Sequence, residues 1–118
     1  MCSSVLNKKG IQVSVSVVVF KEDDTFIVYC PSLDLAGYVD DETSARKDFE
    51  QMLSEYFEWQ LEHNTLEADL KKHGWEIGVR VRKEPKFADM IRSNRELRRV
   101  VDRYDYSKTS INYAKSAL

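Results

Sequence analysis

Glycine and proline are scarce in these 118 residues, four and two respectively, and cysteine and histidine occur twice each. Each shortage excludes something. Glycines at 10, 37, 74 and 78 leave no glycine-rich loop able to cradle a phosphate. Cys2 and Cys30 make no disulfide framework of the secreted kind and lack metal-ligand spacing, so a reducing, cytoplasmic setting is expected. No apolar run approaches the roughly 20 residues that span a bilayer, and residues 17–20 are followed at once by Lys21 and Glu22. The first ten residues carry two lysines with no apolar core behind them, so no signal peptide is expected. Charge of one sign is lacking as well. Eighteen Lys plus Arg against 20 Asp plus Glu give −2, which disfavours nucleic acid or an anionic membrane as a partner by bulk charge. What remains is 42% hydrophobic and 32% charged at 13.8 kDa. A chain of that mass buries about two-thirds of its surface on folding, which suits one domain.

From Ile11 the odd positions Val13, Val15, Val17 and Val19 are apolar and Gln12, Ser14 and Ser16 polar, the period of a strand with one buried and one wetter face. Lys21, Glu22, Asp23 and Asp24 interrupt the pattern, and residues 25–30 resume it, which predicts a hairpin. Pro31 has no N–H for a ladder and ends the second strand; a short third strand follows near residues 37–39. Asp40, Asp41, Glu42 and Thr43 then suit the free N–H groups at a helix start, with Asp41 or Thr43 as the cap. In the long helix that follows, Ala45, Phe49, Met52, Leu53, Tyr56 and Trp59 share one stripe, while Phe57 and Leu61 sit at its margin.

A second helical stretch over residues 65–73 stops at Gly74, the residue best able to turn left-handed after a helix. Trp75, Ile77, Val79 and Val81 alternate with Glu76, Gly78, Arg80 and Arg82, which predicts a fourth strand ended by Pro85. Residues 87–93 and 95–103 read as two short helices, and the last dozen residues as a polar, weakly patterned tail. The expected fold is α+β: a small, mainly antiparallel sheet of three to four strands, one long amphipathic helix on one face, and a helical C-terminal appendix. The expected divisions are an extension over 1–10, the α+β domain over 11–84, and the appendix with its tail over 85–118.

No strand projects an acid from its inward pattern, and Asp23, Asp34 and Asp40 fall in turns, so a metal-dependent nuclease site is disfavoured. His63 and His73 lie near helix ends, where imidazoles cap carbonyls. Cys30 reads as a small buried residue within a strand rather than a nucleophile. Catalytic, metal and cofactor sites are therefore not expected. Residues 76–105 hold nine basic residues against six acids, and Arg80, Arg82, Arg95, Arg98 and Arg99 are the candidates should this segment bind DNA. Residues 40–62 hold eight acids and two bases. Apolar side chains rimmed by one sign of charge suit a docking surface for a basic partner, which makes Glu50, Phe57, Glu58, Leu61 and Glu62 the interface candidates.

The aromatic-rich run ending in Cys30, Pro31, Ser32 and Leu33, then Gly37, the acidic turn at 40–43 and Ala45 opening a long helix together resemble the HicB family of antitoxins. The resemblance implies a partial, degenerate ribonuclease-H-like sheet crossed by a helix and lacking catalytic carboxylates. It also implies a partner, a small basic RNA-cleaving toxin that the antitoxin binds and masks, with self-association into a homo-oligomer as the other expectation. The C-terminal DNA-binding module common in that family is not recognisable after Pro85. DNA-associated regulation through residues 80–103 is the alternative reading.

Overall fold

The computed structural model describes residues 11–78 and 82–115. Among the described residues six strands and four helices follow one another: β1 (Ile11–Glu22), β2 (Thr25–Cys30), β3 (Leu35–Val39), α1 (Glu42–Glu62), α2 (Leu66–Lys72), β4 (Glu76–Ile77), β5 (Arg82–Lys83), α3 (Phe87–Ser93), α4 (Arg95–Arg103) and β6 (Tyr106–Lys115). The fold is α+β, with a four-stranded sheet in the order β3-β2-β1-β6, every neighbour antiparallel, and β4–β5 as a separate two-stranded ribbon.

The β1–β2 hairpin closes through Asp23, whose φ of 57° is left-handed, a conformation that aspartate tolerates better than most residues. Asp41 is the helix cap: its carboxylate accepts the Ser44 N–H at 2.9 Å and the Thr43 hydroxyl. Those donors hold the Asp41 carboxyl below the usual carboxylate range. Gly74, at φ 89°, makes the turn after α2 that a side chain would strain.

Both faces of the sheet are covered. Val13, Val15, Val17, Val28, Cys30 and Ile111 lie under α1 and α2, packed against Ala45, Phe49, Leu53, Phe57, Leu66, Leu70 and Trp75. Val18, Phe20, Ile27 and Tyr29 face the other way, under Met90, Leu97 and Val100 of α3 and α4. The one-sided pattern expected of β1 therefore holds only to Val15; from Ser16 to Phe20 the strand is buried or half-buried on both sides, and the apolar run over residues 17–20 belongs to that doubly covered stretch.

Two expectations are corrected. The polar tail forms β6, paired with β1 from Tyr106 to Lys115. The fourth strand is instead a ribbon in which Glu76 faces Lys83 and Ile77 faces Arg82; Val79, Arg80 and Val81 lie outside the described residues, as does the extension over 1–10. This ribbon docks where β2 stops. The β1–β2 ladder runs back only to Val18 opposite Tyr29, and at Ser16 the Glu84 carboxylate accepts both the N–H at 3.1 Å and the hydroxyl at 2.6 Å. The Trp75 indole N–H donates to the Ser32 carbonyl at 2.8 Å and fastens the ribbon's start to the β2–β3 loop.

Candidate functional site

The outward flank of α1 carries the candidate interface. Its buried stripe is Ala45, Phe49, Leu53 and Phe57, spaced by four, so it drifts about 40° per step around the helix axis and crosses the sheet obliquely. The path starts over β3, where Gly37 lets the Met52 side chain come so close that an added Cβ would lie 2.8 Å from its methyl. It ends over β6, where the Phe57 and Tyr113 rings stack at 4.6 Å. The Tyr113 hydroxyl, bonded to Ser54, has its pKa raised by burial.

That path decides which side chains reach solvent. Phe57 is fully buried, so its assignment to a docking surface is overturned: its ring stacks on Tyr113 of β6, in the segment expected to be a polar tail. Trp59, expected in the core stripe, is 53% exposed and stacks on the His63 ring at 3.9 Å. Leu61 is 39% exposed. Glu50, Glu58 and Glu62 are exposed, Glu50 3.6 Å from Arg46 and Glu58 accepting from the Ser54 hydroxyl at 2.8 Å. The outward face of the helix thus carries Glu55, Glu58 and Glu62 between Trp59 on one side and Leu61, about 160° further around the axis, on the other.

The arginines considered for DNA are largely committed within the fold. Arg82 is half-buried, 3.8 Å from Glu67. Arg98 donates to the Ile91 carbonyl at 3.2 Å and to the Arg92 carbonyl, closing the α3–α4 junction. Arg99 pairs with Glu96 and Glu22 and lies over the Tyr104 ring, and its hydrogen bond to Glu96, aided by its charge, holds that carboxyl below its ordinary pKa. Arg95 is exposed at the rim of an open cleft of about 870 Å³. Arg80 lies outside the described residues. The cleft mixes Lys72, Lys83 and Lys86 with Glu76, Glu84 and Asp89, so it presents no field of one sign.

Asp34 stands at the other end of β2 from Asp23 and Asp40, so the turn acids do not converge. Among the described residues no three His, Cys, Asp or Glu side chains group as metal ligands. Both histidines bond the carbonyl four residues back at 2.8 Å, His63 to Trp59 and His73 to Asp69, which is helix capping. Cys30 is fully buried, and burial pushes its thiol up to about 12, away from the thiolate a nucleophile needs. Tyr56 donates to Asp69, and burial with that carboxylate raises its pKa further. Among the described residues no helix is long and apolar enough to cross a membrane. Compared with protein-family models, curated proteins and solved structures, the chain matches none of them.

Proposed function

We propose that this chain is a non-catalytic protein-binding module, resembling a HicB-type antitoxin, that holds a small basic RNA-cleaving toxin against the outward flank of α1. The observation that carries the reading is an acidic outward face on one rigid helix, Glu55, Glu58 and Glu62, bordered on one side by exposed Trp59 and on the other by exposed Leu61. An aromatic anchor supplies affinity once water is excluded, and neighbouring acids steer a cationic partner and select against anionic ones. The unpaired, buried Cys30 thiol agrees with a cytoplasmic setting.

Co-expression with the product of a neighbouring reading frame encoding a small basic protein is the test. The two chains are expected to co-purify, with affinity falling as salt rises past the screening length of the acids. Trp59→Ala and Leu61→Glu should each weaken that complex by about tenfold or more while the free chain unfolds at the same temperature. Unchanged affinity in both variants rejects the α1 flank as the binding surface.

A further inference from the structure

The sheet has two outer edges among the described residues, and they differ. β3 is five residues long, with Asp34 before it and Asp40 after it. A second copy pairing antiparallel along β3 about Gly37 would set Asp34 against Asp40 at both ends, which like charge opposes. β6 is ten residues long and paired with β1 throughout on its inner side. Its stretch from Thr109 to Ala114 has no charge, no proline and no glycine, and none of the devices that usually blunt an edge. Lys108 does not serve that purpose, because its ammonium is folded 5.2 Å from the Phe87 ring centre.

The outward-pointing groups of β6 can be identified. The Ser16 N–H bonds Glu84 and so points away from β6. Ser16 lies opposite Ser110, which makes this the pair without mutual hydrogen bonds, so the Ser110 N–H and C=O point outward. By the period of two, Lys108, Asn112 and Ala114 do the same.

We propose that two copies of the chain join β6 to β6, antiparallel about a two-fold axis at Ile111, making one continuous sheet from two four-stranded ones. Two-fold antiparallel pairing sets residues opposite one another only where their numbers sum to a constant even value, because adjacent pairs alternate in type. About Ile111, Ser110 faces Asn112 and Lys108 faces Ala114, each pair occurring twice. About eight backbone hydrogen bonds form, and no like charges meet. The exposed side chains of Ser110 and Asn112 add a polar cross-strand contact. The pairing is independent of the partner proposed above, since only this chain takes part.

Sedimentation equilibrium of the full chain, over a micromolar to sub-millimolar series, tests it. The wild type is expected to weigh twice 13.8 kDa at the upper end. Ser110→Pro removes an outward donor without touching the ladder to β1, and Ser110→Lys with Asn112→Lys sets like charges face to face. Either change should raise the dissociation constant by more than about tenfold with an unchanged far-ultraviolet circular dichroism spectrum. Should one variant misfold, the other decides. A wild type that stays monomeric, or a dimer that persists in the folded variants, overturns the proposal; the first outcome would leave the edge to an extended segment of another protein.

Discussion

The two faces of the sheet are covered by different means. Under α1 and α2 lies the larger cluster, crossed by a helix of 21 residues whose buried side chains run from Ala45 to Phe57. The opposite face is sheltered by helices of seven and nine residues that cover Val18, Phe20, Ile27 and Tyr29, while Gln12 and Ser14 stay exposed. A helix of seven or nine residues has little stability of its own, so α3 and α4 depend on docking, whereas α1 has a long buried stripe to hold it. The first face should set global stability, and the second should open locally at lower cost. The proposed recognition flank belongs to the firmer element.

Truncating one anchor on each face tests this most severely. Phe57→Ala removes a fully buried ring stacked on Tyr113 and should cost about 3–5 kcal/mol in urea unfolding. Leu97→Ala, equally buried, should cost about 2–3 kcal/mol, toward the low end for such a change, because short helices can settle into the space. Hydrogen exchange separates the faces. Leu97→Ala should speed exchange in α3 and α4 and spare β1 and β6, whereas Phe57→Ala should speed it throughout. Uniform acceleration in both variants would mean that the sheet and its two covers open as one unit.

A middle-sized effect is expected where the ribbon meets the sheet. Glu84→Ala leaves the Ser16 N–H without its acceptor beside the end of β2, which should cost about 1–3 kcal/mol. Glu84→Gln keeps an acceptor for the N–H, and its amide can donate to the Ser16 hydroxyl, so most of that loss should be recovered. If Gln is as destabilising as Ala, the contribution comes from the carboxylate's charge rather than from supplying an acceptor to the Ser16 N–H.

The same asymmetry governs what could be read in the sequence. β1, β2 and the start of α1 were legible because strict alternation, Pro31 and the acids at 40–43 are local signals, and Asp41 is one of the two caps they suggested. β6 was not, although Thr109, Ile111 and Tyr113 do alternate with Lys108, Ser110 and Asn112. An edge strand whose second face is wet needs few apolar residues, and Ile111 is its one fully buried aliphatic anchor. Tyr113 is remote in sequence from Phe57, so helical periodicity alone places Trp59 in the core stripe and Phe57 at its margin, the reverse of their burial. Leu61 and the glutamates of the flank were identified from charge and position, which needed no tertiary information. The arginines were misleading for a related reason: local charge does not reveal that Arg98 caps carbonyls or that Arg99 reaches Glu22 on β1.

The smallest effects should come from the helix caps, and they sharpen the comparison of the faces. Asn94 accepts the Leu97 N–H at 3.0 Å to start α4, and its amide donates to the Tyr29 hydroxyl at 2.9 Å, tying the short helices to the sheet. Asp41 accepts the Ser44 N–H but reaches no residue of the sheet through its side chain in these bonds. Loss of a cap costs about 1 kcal/mol in either case, and Asn94→Ala forfeits the link to Tyr29 as well, so it should be the more damaging of the two. Asn94→Asp keeps the cap's acceptor and loses only the donor to Tyr29, which places it between wild type and Asn94→Ala in urea midpoint. If Asp41→Ala instead proves the costlier change, the long helix relies on its first turn more than on its buried stripe, and the contrast drawn between the faces fails at its source.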